Sequence, residues 1–268
     1  MLDSSSSSRV AVVTGAAGDL GRLLAARLAE SGWSVVLHAD TAEDAEAAAE
    51  KLVKDGAEPL RLHTAAADLT RLAEVRRLAG ELAGRHPALG LLVHAAHAGP
   101  AERRLLTPDG HERTFAVDYL APFVLTDGLR GCLTAGNGRV VSLSSVLHRG
   151  AGIAWADPTR AKGYTPLAAY GQATLAVTMF TRSLAASGIS AICVDAGSDD
   201  PQIARMRRWD RTPAEHASDI VTQLCPPALV RDGAFYLGLL PDNAAASVDD
   251  PGALRRLRRL TEKLVEPR

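Results

Sequence analysis

From Arg9 onward the chain alternates two hydrophobic periods that cannot share one kind of element, and this alternation constrains its fold more than any other feature. "RVAVVTG" is an apolar run of strand length ending at a glycine, and "LGRLLAARLAESG" repeats its apolar residues at helical spacing up to Gly32. "WSVVLHAD", "PLRLHTAAAD" and "LGLLVHAA" read as further strands, separated by the helices "TAEDAEAAAEKLVKDG", capped by Gly56, and "TRLAEVRRLAGELAGRH", with Thr70 as its N-cap. The pattern continues with a helix from Thr114 to Leu129, a strand "GRVVSLSS", an irregular stretch from Val146 to Leu167, a helix from Ala168 to Ser187 and a strand "ISAICVDAG". Strands that are continuously apolar and alternate with helices predict a doubly wound α/β fold: a Rossmann-like parallel sheet with helices on both faces, three layers deep. No composition break divides it. Residues 9–268 are therefore expected to form one domain behind a short disordered leader, 1–8, with 198–216 and 240–252 as the least regular segments.

Composition removes several function classes. Thirty basic and 31 acidic residues leave a net charge of -1, so no global field recruits nucleic acid or an anionic membrane. The basic run "LRRLRRL", 254–260, reads as the solvated face of a C-terminal helix. Three scattered cysteines make neither a disulfide framework nor a thiolate metal site, which fits a reducing, cytoplasmic setting. No signal-peptide pattern opens the chain, and no apolar run reaches the ~18 residues that span a bilayer.

The first strand-to-helix turn, "VVTGAAGDLG", carries Gly15, Gly18 and Gly21, and such a turn brings backbone N–H groups and a helix N-terminus close to a pyrophosphate. Asp19 opposes phosphate there unless it points to solvent. Asp40, ending the second strand, either accepts hydrogen bonds from an adenosine ribose, favouring NAD over NADP, or caps the next helix.

These pieces, in this order, resemble the short-chain dehydrogenase/reductase family and, within it, the retinol-dehydrogenase-like branch. The resemblance runs from about Arg9 to Val265 through "TGAAGDLG", "AADLT" with Asp68, "LLVHAA", "LTPDGHERTFAVDYLAPFVLT", "GRVVSLSSVLH", "AAYGQATLAVTMFTRSLA", "VDAG" and "RRLTEKLV". It implies a nicotinamide dinucleotide across the carboxyl edge of the sheet and hydride exchange with a carbonyl or alcohol. Ser145 matches the family's substrate-orienting serine and Tyr170 its acid/base tyrosine. Four motifs depart from the family pattern: the lysine four residues after the tyrosine is Thr174, and the relay asparagine is Asp118. The Asn-Asn-Ala-Gly loop reads His94, Ala95, Ala96, His97, and the Pro-Gly beside the nicotinamide is Ala196-Gly197.

Tyr170 and Thr174 share one helix face, but threonine offers no charge to lower the tyrosine's pKa, and an ionised Asp118 raises it further. Oxidation, which needs a tyrosinate, suffers most, whereas a protonated tyrosine still donates to a carbonyl. His97 crowds a surface that dinucleotide backbones approach closely. Lys162 and Arg160 are alternative cations before Tyr170. His94 and His97 lack a third metal ligand, so no metal is expected. His148 either edges the substrate pocket or is a partly exposed loop residue. The sequence therefore predicts a divergent enzyme of specialised metabolism, acting through Tyr170 and Ser145 on a small oxygenated substrate, with hydride transfer impaired or lost, as in cyclisation, isomerisation or dehydration. It uses NAD(H) or no cofactor. A working NAD(H)-dependent carbonyl reductase and a non-catalytic ligand- or partner-binding homologue are the alternatives. The resemblance also implies a homodimer or homotetramer, and the apolar face 175–185 is either its contact or ordinary core.

Overall fold

Eight strands form one sheet in the order β3-β2-β1-β4-β5-β6-β7-β8 in the computed structural model, which describes residues 9–208 and 210–267. The leader expected at 1–8 lies outside the described residues. The strands are β1 Val10–Val13, β2 Ser34–Ala39, β3 Leu62–Ala66, β4 Leu91–His94, β5 Arg139–Leu143, β6 Ser190–Asp195, β7 Phe235–Leu237 and β8 Leu240–Asp242. All neighbours are parallel except β7 and β8. Alternate residues of each strand enter opposite cores. Val10 and Val12 of β1, Val36 and Leu92 pack under α3 (Leu72–Arg85), α5 (Ala121–Gly128), α7 (Pro166–Ala186) and α10 (Pro251–Val265). Ala11 and Val13, with Leu37 and Val93, pack under α1 (Asp19–Glu30), α2 (Ala42–Lys54) and α9 (Ala214–Gln223). Burial on both faces is why these strands read as continuous apolar runs. The chain winds one way from β1 and the other way from β4, so a crevice opens where their carboxyl ends diverge.

Several expectations need correction. The segment 198–216 contains α8 (Pro201–Arg207) and the start of α9, and 240–252 contains β8 and the start of α10. α8 and β8 are too short to show a period, although Asp200 caps α8 by accepting from Gln202 N and Ile203 N at 2.7 and 3.1 Å. Thr70 does not cap α3: Arg71 is the N-cap residue, and Asp109, distant in sequence, accepts from Leu72 N at 2.7 Å. The expected helix from Thr114 is α4 (Arg113–Phe115), a π turn (Ala116–Leu120) and α5, followed by α6 (Arg130–Ala135). The face 175–185 is core within the single chain, with Leu175, Met179 and Phe180 buried and α10 packed on α7. The C-terminal basic run stands as read, with Arg255, Arg256, Arg258 and Arg259 exposed on α10 and Leu257 buried. On the edge strand β8, Pro241 sits opposite Tyr236.

Candidate active site

The glycine turn is required by its own packing. Gly15 has φ +74°, and a Cβ there would stand 2.6 Å from Ala96 Cα; one at Gly21 would stand 2.3 Å from Gly15 O. Gly18 is the N-cap of α1 and gives no side-chain acceptor, so the first N–H groups of that helix are available to an anion. Asp19 points outward, its side chain 69% exposed and 3.0 Å from Arg22, which removes its conflict with phosphate. Thr14 Oγ1 accepts from Ala95 N and Ala96 N at 3.1 Å each and so locks the loop after β4 against the turn.

His38 is a support that the sequence reading missed. It is fully buried: Gly15 N donates to Nδ1 at 3.4 Å, and Nε2 stands 3.0 Å from Ala67 O. With Nδ1 accepting, Nε2 carries the proton, and burial holds the ring neutral by lowering its pKa to about 4. The available signal was a histidine inside an apolar strand.

Asp40 is not a helix cap, because Thr41 holds that role and accepts from Asp44 N at 3.1 Å. Asp40 instead lines a cleft of roughly 400 Å³, together with Gly15, Gly18, Thr70, Ala95 and Arg113. Loss of water raises its pKa, and Asp68 and Asp44 add to the rise. Asp68 turns back on its own loop, its Oδ1 accepting from Thr70 N at 2.8 Å and Thr70 Oγ1 at 2.6 Å, so it acts on the cleft through its charge. Among the described residues the cleft walls carry Asp40, Asp44 and Asp199 against Arg113, an acidic setting that opposes a 2′-phosphate.

At the other end, Tyr170, Thr174, Asp118, His94, His97 and Gly197 line an inner cavity of about 80 Å³. Tyr170 is buried and hydrogen-bonded to the Ser145 hydroxyl. Burial pushes its pKa far above the ordinary tyrosine value; Asp118 and Asp195 add to that push, and Arg207 and Ser145 oppose it. Thr174 does not replace a lysine, since its hydroxyl donates back to Tyr170 O and Gly171 O at 3.1 Å each. Asp118 sits on the π turn, a distortion that recurs at functional sites, and its Oδ1 accepts from Ala98 N at 2.7 Å.

A cation that acts on Tyr170 was also missed. Arg207 of α8 pairs with Asp195 at 2.9 Å, with the two side chains only 4% and 2% exposed. Asp195 also accepts from Val146 N at 2.8 Å and Gly197 N at 3.0 Å, so one carboxylate ties α8 to the turn after Ser145. Arg160 donates to Gly152 O at 3.2 Å and Lys162 is exposed; neither lines the inner cavity. Gly197, at φ +94°, leaves no room for a Cβ, which would meet Thr212 Oγ1 at 2.1 Å.

The histidines divide. His94 is buried, 2.8 Å from Thr126 Oγ1, and burial lowers its pKa to about 3. His97 stands at the junction of cleft and cavity; desolvation lowers its pKa, while Asp200 and Asp199 act in the opposite direction. His148 neither edges the cavity nor lies exposed. It is fully buried behind Ser145, whose carbonyl is 2.6 Å from Nδ1, while Ala245 N donates to Nε2 at 3.2 Å. Among the described residues no three His, Cys, Asp or Glu side chains converge as metal ligands, and no helix is long and apolar enough to cross a membrane.

Comparison with known proteins agrees with this fold. The model of the short chain dehydrogenase family matches residues 9–205. The chain belongs to that family. This short-chain dehydrogenase is 32% identical to the polyprenol dehydrogenase of Mus musculus over 254 residues, covering 85% of the chain and 75% of the relative. It is 38% identical to a "Probable oxidoreductase" of Streptomyces lividans over 70% of the chain, and 30% identical to retinol dehydrogenase 13 of Mus musculus over 74%. The short-chain dehydrogenase spans 64% and 60% of the lengths of those two relatives. The retinol-dehydrogenase-like branch is thereby supported. Its fold matches the crystal structure of an uncharacterized protein from Mycobacterium paratuberculosis with a TM-score of 0.79 and 26% identity, over 96% of this chain and 93% of the other. A metagenomic short-chain oxidoreductase solved with NADP shares the fold at a TM-score of 0.60 and 23% identity, over 81% of this chain and 90% of the other.

Asp118 has a consequence for stability. Burial raises its carboxyl from 3.8 to about 8; the Ala98 N–H and Arg113 oppose this and Glu112 adds to it. Between those pH values the unfolded chain has lost a proton that the folded one keeps, so stability falls as pH rises through that window. Asp118→Asn removes the loss and is expected to gain roughly 2–3 kcal/mol over the native protein at alkaline pH and almost nothing below the window. Urea unfolding at several pH values checks this, and parallel stability curves for the two proteins would refute it.

Proposed function

We propose that this protein is an atypical short-chain dehydrogenase-fold enzyme of specialised metabolism in which Tyr170 donates a proton to an oxygen of a small carbonyl or hydroxyl substrate held by Ser145, with hydride transfer impaired or lost. The observation that carries this reading is the setting of Tyr170: it is buried, bonded to Ser145 and faced by Asp118 and Asp195, in a cavity whose described walls hold no Lys or Arg. A tyrosine held protonated has a proton to donate and offers almost no tyrosinate to act as a base. Cyclisation, isomerisation and dehydration need a positioned acid; alcohol oxidation needs a tyrosinate.

A nicotinamide dinucleotide fits one half of this cleft. Gly15, Gly18 and the first N–H groups of α1 would hold its pyrophosphate, and Asp40 its adenosine ribose, which favours NAD(H) over NADP(H). Bound there, the cofactor would supply a hydride at the substrate carbon. The chain's contribution beside the second ribose is weak, because the Thr174 hydroxyl is spent on its own helix. Titration with NADH and NADPH, followed by nicotinamide fluorescence, is expected to give NADH dissociation constants weaker than about 100 μM and still weaker NADPH binding. Thr174→Lys combined with Asp118→Asn is expected to tighten NADH by about tenfold or more. Micromolar NADH binding with turnover of carbonyl substrates by the native protein would overturn the reading.

That outcome would favour a working NAD(H)-dependent carbonyl reductase with a rearranged relay, for which the placement of Arg207 near Tyr170 speaks. Assembly as a homodimer or homotetramer would use a surface other than 175–185, because that face is core.

A further inference from the structure

We propose that the inner cavity recognises a cationic nitrogen: Asp118 takes an ammonium or iminium group of a small substrate whose oxygen is held by Tyr170 and Ser145. The placement of the oxygen rests on the function proposed above; the nitrogen site rests on the cavity itself.

The charges around Asp118 offset it only in part, through Arg113. On its own helix, Glu112 is buried and spends its carboxylate on Thr114 N and Phe115 N at 3.0 and 2.8 Å, and Arg113 is exposed in the outer cleft. From α7 the facing group is Tyr170, which is neutral. From the end of β4 comes His94, neutral through burial, and from the loop after it His97. The segment after β6 adds a second carboxylate, Asp199, and Asp195 at the end of β6 is neutralised by Arg207 of α8. Only Oδ1 of Asp118 accepts a protein hydrogen bond among the described residues, from Ala98 N, which leaves Oδ2 for a ligand. The rest of the wall mixes apolar side chains, Pro122, Leu143, Val177, Val194 and Ile203, with the neutral hydroxyls of Ser144, Thr174, Ser198 and Thr212.

A buried carboxyl that an exposed arginine offsets only in part keeps its proton, as the rise to about 8 reflects. An ammonium placed against it supplies the missing charge, so the proton leaves as the cation enters. A neutral ligand of the same shape brings no such gain. The volume, about 80 Å³, admits a group the size of a five-membered ring.

Pyrrolidinium and its neutral analogue cyclopentanol make the test. Followed by ligand-observed NMR, pyrrolidinium is expected to bind the native protein at least about tenfold more tightly than cyclopentanol, and Asp118→Asn is expected to erase that preference. Calorimetry in two buffers of different ionisation enthalpy is expected to show proton release on pyrrolidinium binding near neutral pH and none at pH well above 8. This second measurement uses the native protein and does not depend on the variant folding. Equal binding of the two ligands, absence of pyrrolidinium binding, an unchanged preference in Asp118→Asn, or binding without proton release would each overturn the nitrogen site. Tyr170→Phe is expected to keep pyrrolidinium binding. A loss of preference in Asp118→Asn, with chemistry unchanged in Tyr170→Phe, would therefore retire the proposed acid and leave the nitrogen site standing.

Discussion

Replacing Arg207 with methionine is expected to destabilise the fold by about 3–5 kcal/mol, because it strands a buried carboxylate. Asp195 is 2% exposed and already accepts two backbone N–H groups, so the polar atoms around it stay satisfied while its charge loses its partner. At about 2–4 °C per kcal/mol for a chain of this size, the melting temperature should fall by roughly 6–20 °C. Adding Asp195→Asn should restore much of the loss, since asparagine keeps an oxygen for Val146 N and Gly197 N without the charge. Asp195→Leu should restore less, because it abandons both donors. Urea midpoints with unchanged slopes would measure these differences directly. A single-variant loss below about 1 kcal/mol would mean that the pair behaves as an exposed one.

Tyr170→Phe is expected to lower turnover of the substrate by roughly 10²–10⁴-fold while costing the fold only about 1 kcal/mol, the worth of the lost bond to Ser145. The pH profile separates acid from base. With its pKa held well above the ordinary tyrosine value, Tyr170 as donor gives a rate that stays level with respect to its own ionisation across the neutral range. As a base, the same residue gives a rate that climbs about tenfold per pH unit. A climbing profile, or a phenylalanine variant with native turnover, would end the assignment of Tyr170 as the acid.

The parts of this molecule that could be read in advance are those with a local period or a local requirement. Six strands and the helices between them announce themselves by spacing, and Gly15 and Gly21 by turns that admit no side chain. Tyr170 and Ser145 were paired by resemblance, and their hydroxyls do meet. What could not be read was set at long range. Asp109 caps α3 from 37 residues away, and Arg207 reaches Asp195 from a helix of seven residues that shows no period. The two basic residues before Tyr170, Arg160 and Lys162, stand off the inner cavity, whereas Arg207 comes from the far side of β6 in the chain. His148 was placed by neither alternative, because nothing local distinguishes a loop histidine from one whose two ring nitrogens meet backbone groups 3 and 97 residues away.

The last strand bears on how copies of this protein meet. An unpaired sheet edge invites another chain to extend it, and that invitation depends on a row of free backbone donors and acceptors. β8 offers three residues, Leu240–Asp242, and the middle one, Pro241, has no N–H to give. Growth of the sheet across this edge, into fibrils or end-to-end filaments, is blunted by one imino acid, even though Leu240 beside it is 73% exposed.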